Sequence, residues 1–143
     1  MSDYILFIAG SRNFTPLSNE DEKMIAISYL SDVFDKYGYP SEIVHGNAHG
    51  ADTEVTDIAM AIIPNNDTIK LSVFPADWAQ YGKKAGPIRN NQMADYMVST
   101  GKDVVAVVFY NPEISRGSAH MVSLLNKKLP NAIKIFHEDY SIK

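Results

Sequence analysis

Two runs in this chain, Tyr4-Ile5-Leu6-Phe7-Ile8-Ala9 and Val104-Val105-Ala106-Val107-Val108-Phe109, are apolar throughout. A strand with one face in water alternates apolar and polar positions. A continuous apolar run of this length, rich in β-branched and aromatic residues, reads as a strand buried on both faces. Such strands belong to parallel sheets, whose crossover connections lay helices over both sides.

The intervening segments supply those helices. Ile27, Leu30, Phe34 and Tyr37 form a stripe that predicts a helix from Leu17 to Tyr37, with a capping box in Ser18 through Asp21 and Gly38 as its stop. Glu42-Ile43-Val44-His45 reads as a second strand, and Val55, Ile58, Ala59, Ile62 and Ile63 mark one face of the next helix. The third strand is expected from Ile69 to Phe74, ended by Pro75, and an irregular stretch from Ala76 to Ala85 follows it. Pro87 then suits the first turn of a helix running to Ser99. After Val104–Phe109 come a loop, a helix from Gly117 to Lys128 and a last strand from Ala132 to Phe136.

Five strands alternating with four helices through right-handed crossovers predict an α/β fold, a Rossmann-like three-layer open parallel sheet in strand order 3-2-1-4-5. In that order the chain switches direction between strands one and four, opening a crevice beyond their carboxyl ends where such sheets bind ligands. With 143 residues, 45% of them hydrophobic, and no repeat, linker or low-complexity segment, residues 1–143 are read as one domain.

All three arginines fall in loops bearing glycine or asparagine: Gly10-Ser11-Arg12, Gly86-Pro87-Ile88-Arg89-Asn90-Asn91 and Ser115-Arg116-Gly117-Ser118. The residue best suited to bidentate phosphate or carboxylate binding is thus placed where bare backbone N–H groups can also reach a ligand. In the first loop Gly10 lets the backbone approach a phosphate while Ser11 and Arg12 donate, although the same residues also suit an ordinary strand-to-helix turn. The second loop, His45-Gly46-Asn47-Ala48-His49-Gly50-Ala51-Asp52, sets two glycines and several polar side chains before a helix N-terminus. There Gly46 and Gly50 are expected to let main chain approach the ligand, and Asp52 serves either the ligand or the helix as its N-cap. His45 and His49 would share a face only on a helix, which these glycines oppose, so no metal site is expected. In the third region Asp77 adjoins Trp78, the sole tryptophan, which either packs or stacks on a base; Arg89 and Asn90 are placed for ligand contacts. In the fourth, Arg116, Gly117 and Ser118 combine cation, bare backbone and hydroxyl at a helix start.

A net charge of −4 disfavours nucleic acid as partner, because counterion release needs a broad basic face. The absence of cysteine excludes disulfides, thiolate nucleophiles and Cys-ligated zinc. Met-Ser-Asp-Tyr leads into the first apolar run without the pattern of a signal peptide, so a cytoplasmic protein with no membrane partner is expected. No cofactor is called for, and self-association into a homo-oligomer is left open.

Taken in order, Gly10-Ser11-Arg12, His45-Gly46 through Gly50-Ala51-Asp52, Pro75-Ala76-Asp77-Trp78, Gly86 through Arg89-Asn90 with Met93, and Gly117-Ser118 with Met121 resemble the DUF2493 group, related to the YspA and YpsA proteins, of the SLOG superfamily of Rossmann-like domains. The resemblance spans nearly the whole chain. It implies a nucleotide or nucleotide-derived ligand, for example an ADP-ribose derivative, held by a sensor or sequestering protein, with the Gly117-Ser118 loop taking the phosphate. The superfamily also holds phosphoribohydrolases that cleave base from nucleoside monophosphates. Those enzymes carry Gly-Gly-x-Gly-Thr-x-x-Glu, whereas Gly117-Ser118-Ala119-His120-Met121 puts a thioether where the acid would stand. A thioether cannot be a general base. An N-glycosidase would therefore need Asp52, Asp77 or His120 as substitute catalytic residue, and binding is the expected function.

Overall fold

The computed structural model describes residues 3–143. Both apolar runs become central strands: β1 (Tyr4–Gly10) lies beside β4 (Asp103–Tyr110), with Leu6 opposite Val105 and Gly10 opposite Phe109. β2 (Glu42–His45) flanks the other side of β1, β3 (Lys70–Val73) lies beyond β2, and β5 (Ile133–Glu138) lies beyond β4. Every pairing is parallel, and the order is β3-β2-β1-β4-β5 as expected.

The central strands lack polar positions because each face has its own core. Tyr4, Leu6 and Ile8 join one cluster with α1 (Glu20–Tyr37) and α2 (Ala51–Ile62), through residues such as Leu30, Val33, Val55 and Ala59. Ile5, Phe7 and Ala9 join the other. The chain next forms α3 (Trp78–Tyr81), a single turn, and then α4 (Ala85–Thr100) and α5 (Arg116–Lys128), which cover this second face with Met93, Met97, Met121 and Leu125. Each fully buried side chain of this size contributes about 1.5–3 kcal/mol. Among the described residues no helix is long and apolar enough to cross a membrane.

Several boundaries differ from expectation. α1 is capped by Asn19, whose side chain accepts from the Glu22 amide, so the cap lies one residue beyond Ser18. The Glu22 carboxylate accepts from the Thr15 amide at 2.7 Å, fastening the loop before the helix. Residues 76–85 are not irregular: Asp77 caps α3 by accepting from the Gln80 amide, and a 3-10 turn at Gly82–Lys84 feeds directly into α4. Pro87 sits in the first turn of α4, where its missing N–H costs nothing. The third strand is shorter than expected and the last runs on to Glu138.

Candidate functional site

The carboxyl ends of β1 and β4 open onto a cavity of about 620 Å³, walled by the loops after β1, β2 and β4 and by the start of α4. Ligand pockets typically enclose about 300–1,000 Å³.

The loop after β1 is fixed by its backbone. Ser11 N–H donates to the Phe109 carbonyl at 2.8 Å, and the Ser11 carbonyl accepts from the Ala51 amide at 3.1 Å. Its Oγ accepts from the Asn13 amide at 3.0 Å, leaving the hydroxyl proton for a ligand. Gly10 makes this closeness possible, since a Cβ there would lie 2.3 Å from the Phe109 carbonyl oxygen. Arg12 follows as an exposed cation lining the cavity.

After β2, Asp52 does not cap its helix. Gly50 occupies the N-cap at φ 90°, and Asp52 turns back to accept from the amides of Gly46 and Ala48, both at 3.2 Å. Asp52 is 5% exposed, and burial drives its pKa up to about 6, against the lowering pull of the Ala48 amide, the Arg89 charge and the amides of Gly46 and Gly10. It is the only carboxylate side chain lining the cavity among the described residues.

Arg89, in the first turns of α4, donates through Nη1 to the Gly46 carbonyl and, at 3.5 Å, to that of Phe74, and through Nε to Asn90 Oδ1 at 3.0 Å. Burial lowers its pKa, with the Asp52 charge opposing and the Arg12 charge adding. Asn90 is buried, and its Nδ2 lies 3.2 Å from the Gly117 carbonyl and 3.1 Å from His120 Nδ1. One amide side chain thus links α4 to the start of α5.

That start is left open. The Ser115 hydroxyl accepts from the Asn111 amide instead of capping its own helix. Among the described residues, the amides of Gly117 and Ser118 have no hydrogen-bond partner, and they point the positive end of α5 at a cavity also lined by Arg116. Met93 and Met121 supply buried apolar surface to the same cavity, and Trp78 borders it while 51% exposed.

The structure therefore brings Gly10, Ser11, Arg12, Asp52, Trp78, Arg89, Asn90, Arg116, Gly117, Ser118 and His120 to one cavity. His45, Gly46, Gly50 and Asp77 do not line it. His45 is buried and its Nδ1 accepts from the Asn47 amide at 2.9 Å, with burial lowering its pKa. Gly46 spends its N–H on Asp52 and its carbonyl on Arg89. Gly50 packs on the main chain of Ser11 and Arg12. Asp77 is the cap of α3. Sequence reasoning missed Asn111, which is buried and donates to the carbonyls of Tyr140 and Ile142, securing the loop that presents Arg116. The Asn-Pro pair at 111–112 was its signal, a turn initiator between strand and helix.

No family model matches the chain. Among curated proteins, the gene 61 protein of Mycobacterium phage D29 is similar: 35% identical over 75 residues, covering 52% of this chain and 57% of that protein. The match thus spans little more than half the length of either protein. No solved structure matches.

Proposed function

We propose that the cavity binds a nucleotide or nucleotide-derived small molecule through its phosphate, and that the protein acts as a sensor or sequestering protein for it. The observation that carries this reading is that, among the described residues, Arg12, Arg89, Arg116 and the unpaired amides of Gly117 and Ser118 collect around one cavity whose lining holds a single acidic side chain. Charged hydrogen bonds of this kind are worth about 1.5–3 kcal/mol each. The half-exposed Trp78 and the apolar surface of Met93 and Met121 suit the flat, less polar remainder of a nucleotide. The order of motifs resembling the DUF2493 group supports the same ligand class.

A second reading, hydrolysis of a nucleotide N-glycosidic bond, draws on one observation. Asp52 is a buried carboxyl with a pKa near 6 at the cavity wall, an acid–base group poised close to neutral pH. Its Oδ2 already accepts two amides, and Met121 leaves the acid position of the related hydrolases without a proton acceptor. Binding without cleavage is the better-supported function.

The test is incubation with nucleoside monophosphates, NAD and ADP-ribose. At least one should raise the melting temperature by binding the folded state, with no enzyme-dependent free base on liquid chromatography. Base release that disappears in Asp52→Asn would establish the glycosidase instead. Neither stabilisation nor turnover would contradict both readings.

A further inference from the structure

The contacts of Asn90 determine more than its own orientation. Arg89 Nε carries a hydrogen and can only donate, so the Asn90 atom 3.0 Å from it must be the carbonyl oxygen. The amide nitrogen therefore faces the other way, toward the Gly117 carbonyl at 3.2 Å, which can only accept. A flipped amide would set N–H against N–H on one side and oxygen against oxygen on the other. With one Nδ2 hydrogen directed to Gly117, the second meets His120 Nδ1 at 3.1 Å. That ring nitrogen must be the acceptor, which puts the imidazole proton on Nε2. Nε2 has no hydrogen-bond partner among the described residues, and His120 lines the cavity.

We infer that Asn90 is a positioning residue that locks His120 as its Nε2–H tautomer, so that His120 offers the bound ligand a hydrogen-bond donor. On the reading above, on which this inference rests, the ligand group at His120 is an acceptor such as a phosphate, sugar or carbonyl oxygen. His120 stands three residues after Gly117 and so shares a helix face with the unpaired Gly117 amide. One fixed donor and the amide then address the same side of the ligand. The assignment also removes Nδ1 of His120 as a proton acceptor for chemistry, since Asn90 occupies it.

Long-range proton–nitrogen NMR correlation on the ligand-free protein at pH 7.5 tests the tautomer directly, with His120 assigned by the loss of its signals in His120→Gln. The expected result is a protonated, pyrrole-type Nε2 and an unprotonated, pyridine-type Nδ1. A protonated Nδ1, or two averaged nitrogens, overturns the inference without bearing on nucleotide binding. In Asn90→Asp the carboxylate can only accept, so the proton should move to Nδ1. Adenosine monophosphate then serves as probe: where it shifts the Gly117 and Ser118 amides, it should also shift the Nε2 proton, and an unmoved Nε2 overturns the donor role. If the probe moves no cavity resonance, that result counts against the nucleotide reading, while the tautomer is still decided by the ligand-free spectrum.

Discussion

Gly50 lies so close to Arg12 that a Cβ on it would fall 2.5 Å from the Arg12 carbonyl oxygen, and its φ of 90° is one that L side chains rarely adopt. The connection after β2 is thereby packed onto the connection after β1. The close approach and the positive φ together make Gly50 a structural glycine, where the sequence suggested a ligand-facing one.

Gly50→Ala should accordingly destabilise the fold by at least about 2 kcal/mol, from strained backbone and from the clash together. Urea unfolding measures it. A variant within about 0.5 kcal/mol of wild type would show that the two loops are free to separate.

The three arginines should separate into two kinds. Arg12→Ala and Arg116→Ala remove exposed cations, so each should weaken a phosphate ligand by about 1.5–3 kcal/mol and change stability by less than about 0.5 kcal/mol. Arg89→Ala removes a partly buried donor from the Gly46 carbonyl and Asn90 Oδ1, and should cost about 1–3 kcal/mol of stability as well. Parallel denaturation and binding titrations check the split, and equal stability losses at all three positions would contradict it.

Asp52 gives the fold a pH dependence of determined sign. Its folded pKa, about 6, lies above its ordinary value of 3.8, so the folded state binds the proton more tightly than the unfolded one. The stability it contributes is complete below about pH 4 and is lost as pH rises through 6. Relative to Asp52→Asn, wild type should lose roughly 2–3 kcal/mol between pH 4 and pH 7.5, because each pKa unit is worth about 1.4 kcal/mol. Urea midpoints of the two proteins across that range decide it; parallel curves would mean that Asp52 titrates normally.

The sheet was legible because its cause is local. Strands buried on both faces must be apolar at every position, and Tyr4–Ala9 and Val104–Phe109 carry that requirement on their surface. Arg12 and Arg116 were legible for a related reason, since they follow β1 and β4 and the topology gathers those strand ends at one place; Arg89, expected in a loop, instead reaches the cavity from the first turns of α4, beyond α3. What escaped was the use of particular side chains, which depends on neighbours distant in sequence. Asp52 resembled an N-cap because it opens a helix, yet its carboxylate folds back on Gly46 and Ala48. Gly50 resembled a ligand glycine, yet what approaches it is the main chain of Arg12. The turn at Trp78–Tyr81 was hidden because four residues carry too little periodicity to announce a helix, though Asp77 and Gln80 fit the spacing of a cap and its donor.

Trp78 is 51% exposed at the cavity wall, so its loss should spare the fold. If a base stacks on it, Trp78→Ala should weaken a nucleotide by about 1–3 kcal/mol and leave inorganic phosphate unaffected. Competition titrations with both probes separate the outcomes, and equal weakening of the two would move Trp78 from stacking to shaping the site.

The central claim, one cavity that takes a phosphate-bearing ligand on its arginines and helix amides, is tested most directly by calorimetric titration of nucleoside monophosphates, NAD and ADP-ribose into wild type and into the Arg12→Ala/Arg116→Ala double variant. At least one compound should bind wild type with one-to-one stoichiometry and lose at least about 100-fold in affinity in the double variant, since two charged hydrogen bonds of at least about 1.5 kcal/mol each are removed. Failure of every compound to bind wild type, or an unchanged dissociation constant in the double variant, would contradict the account.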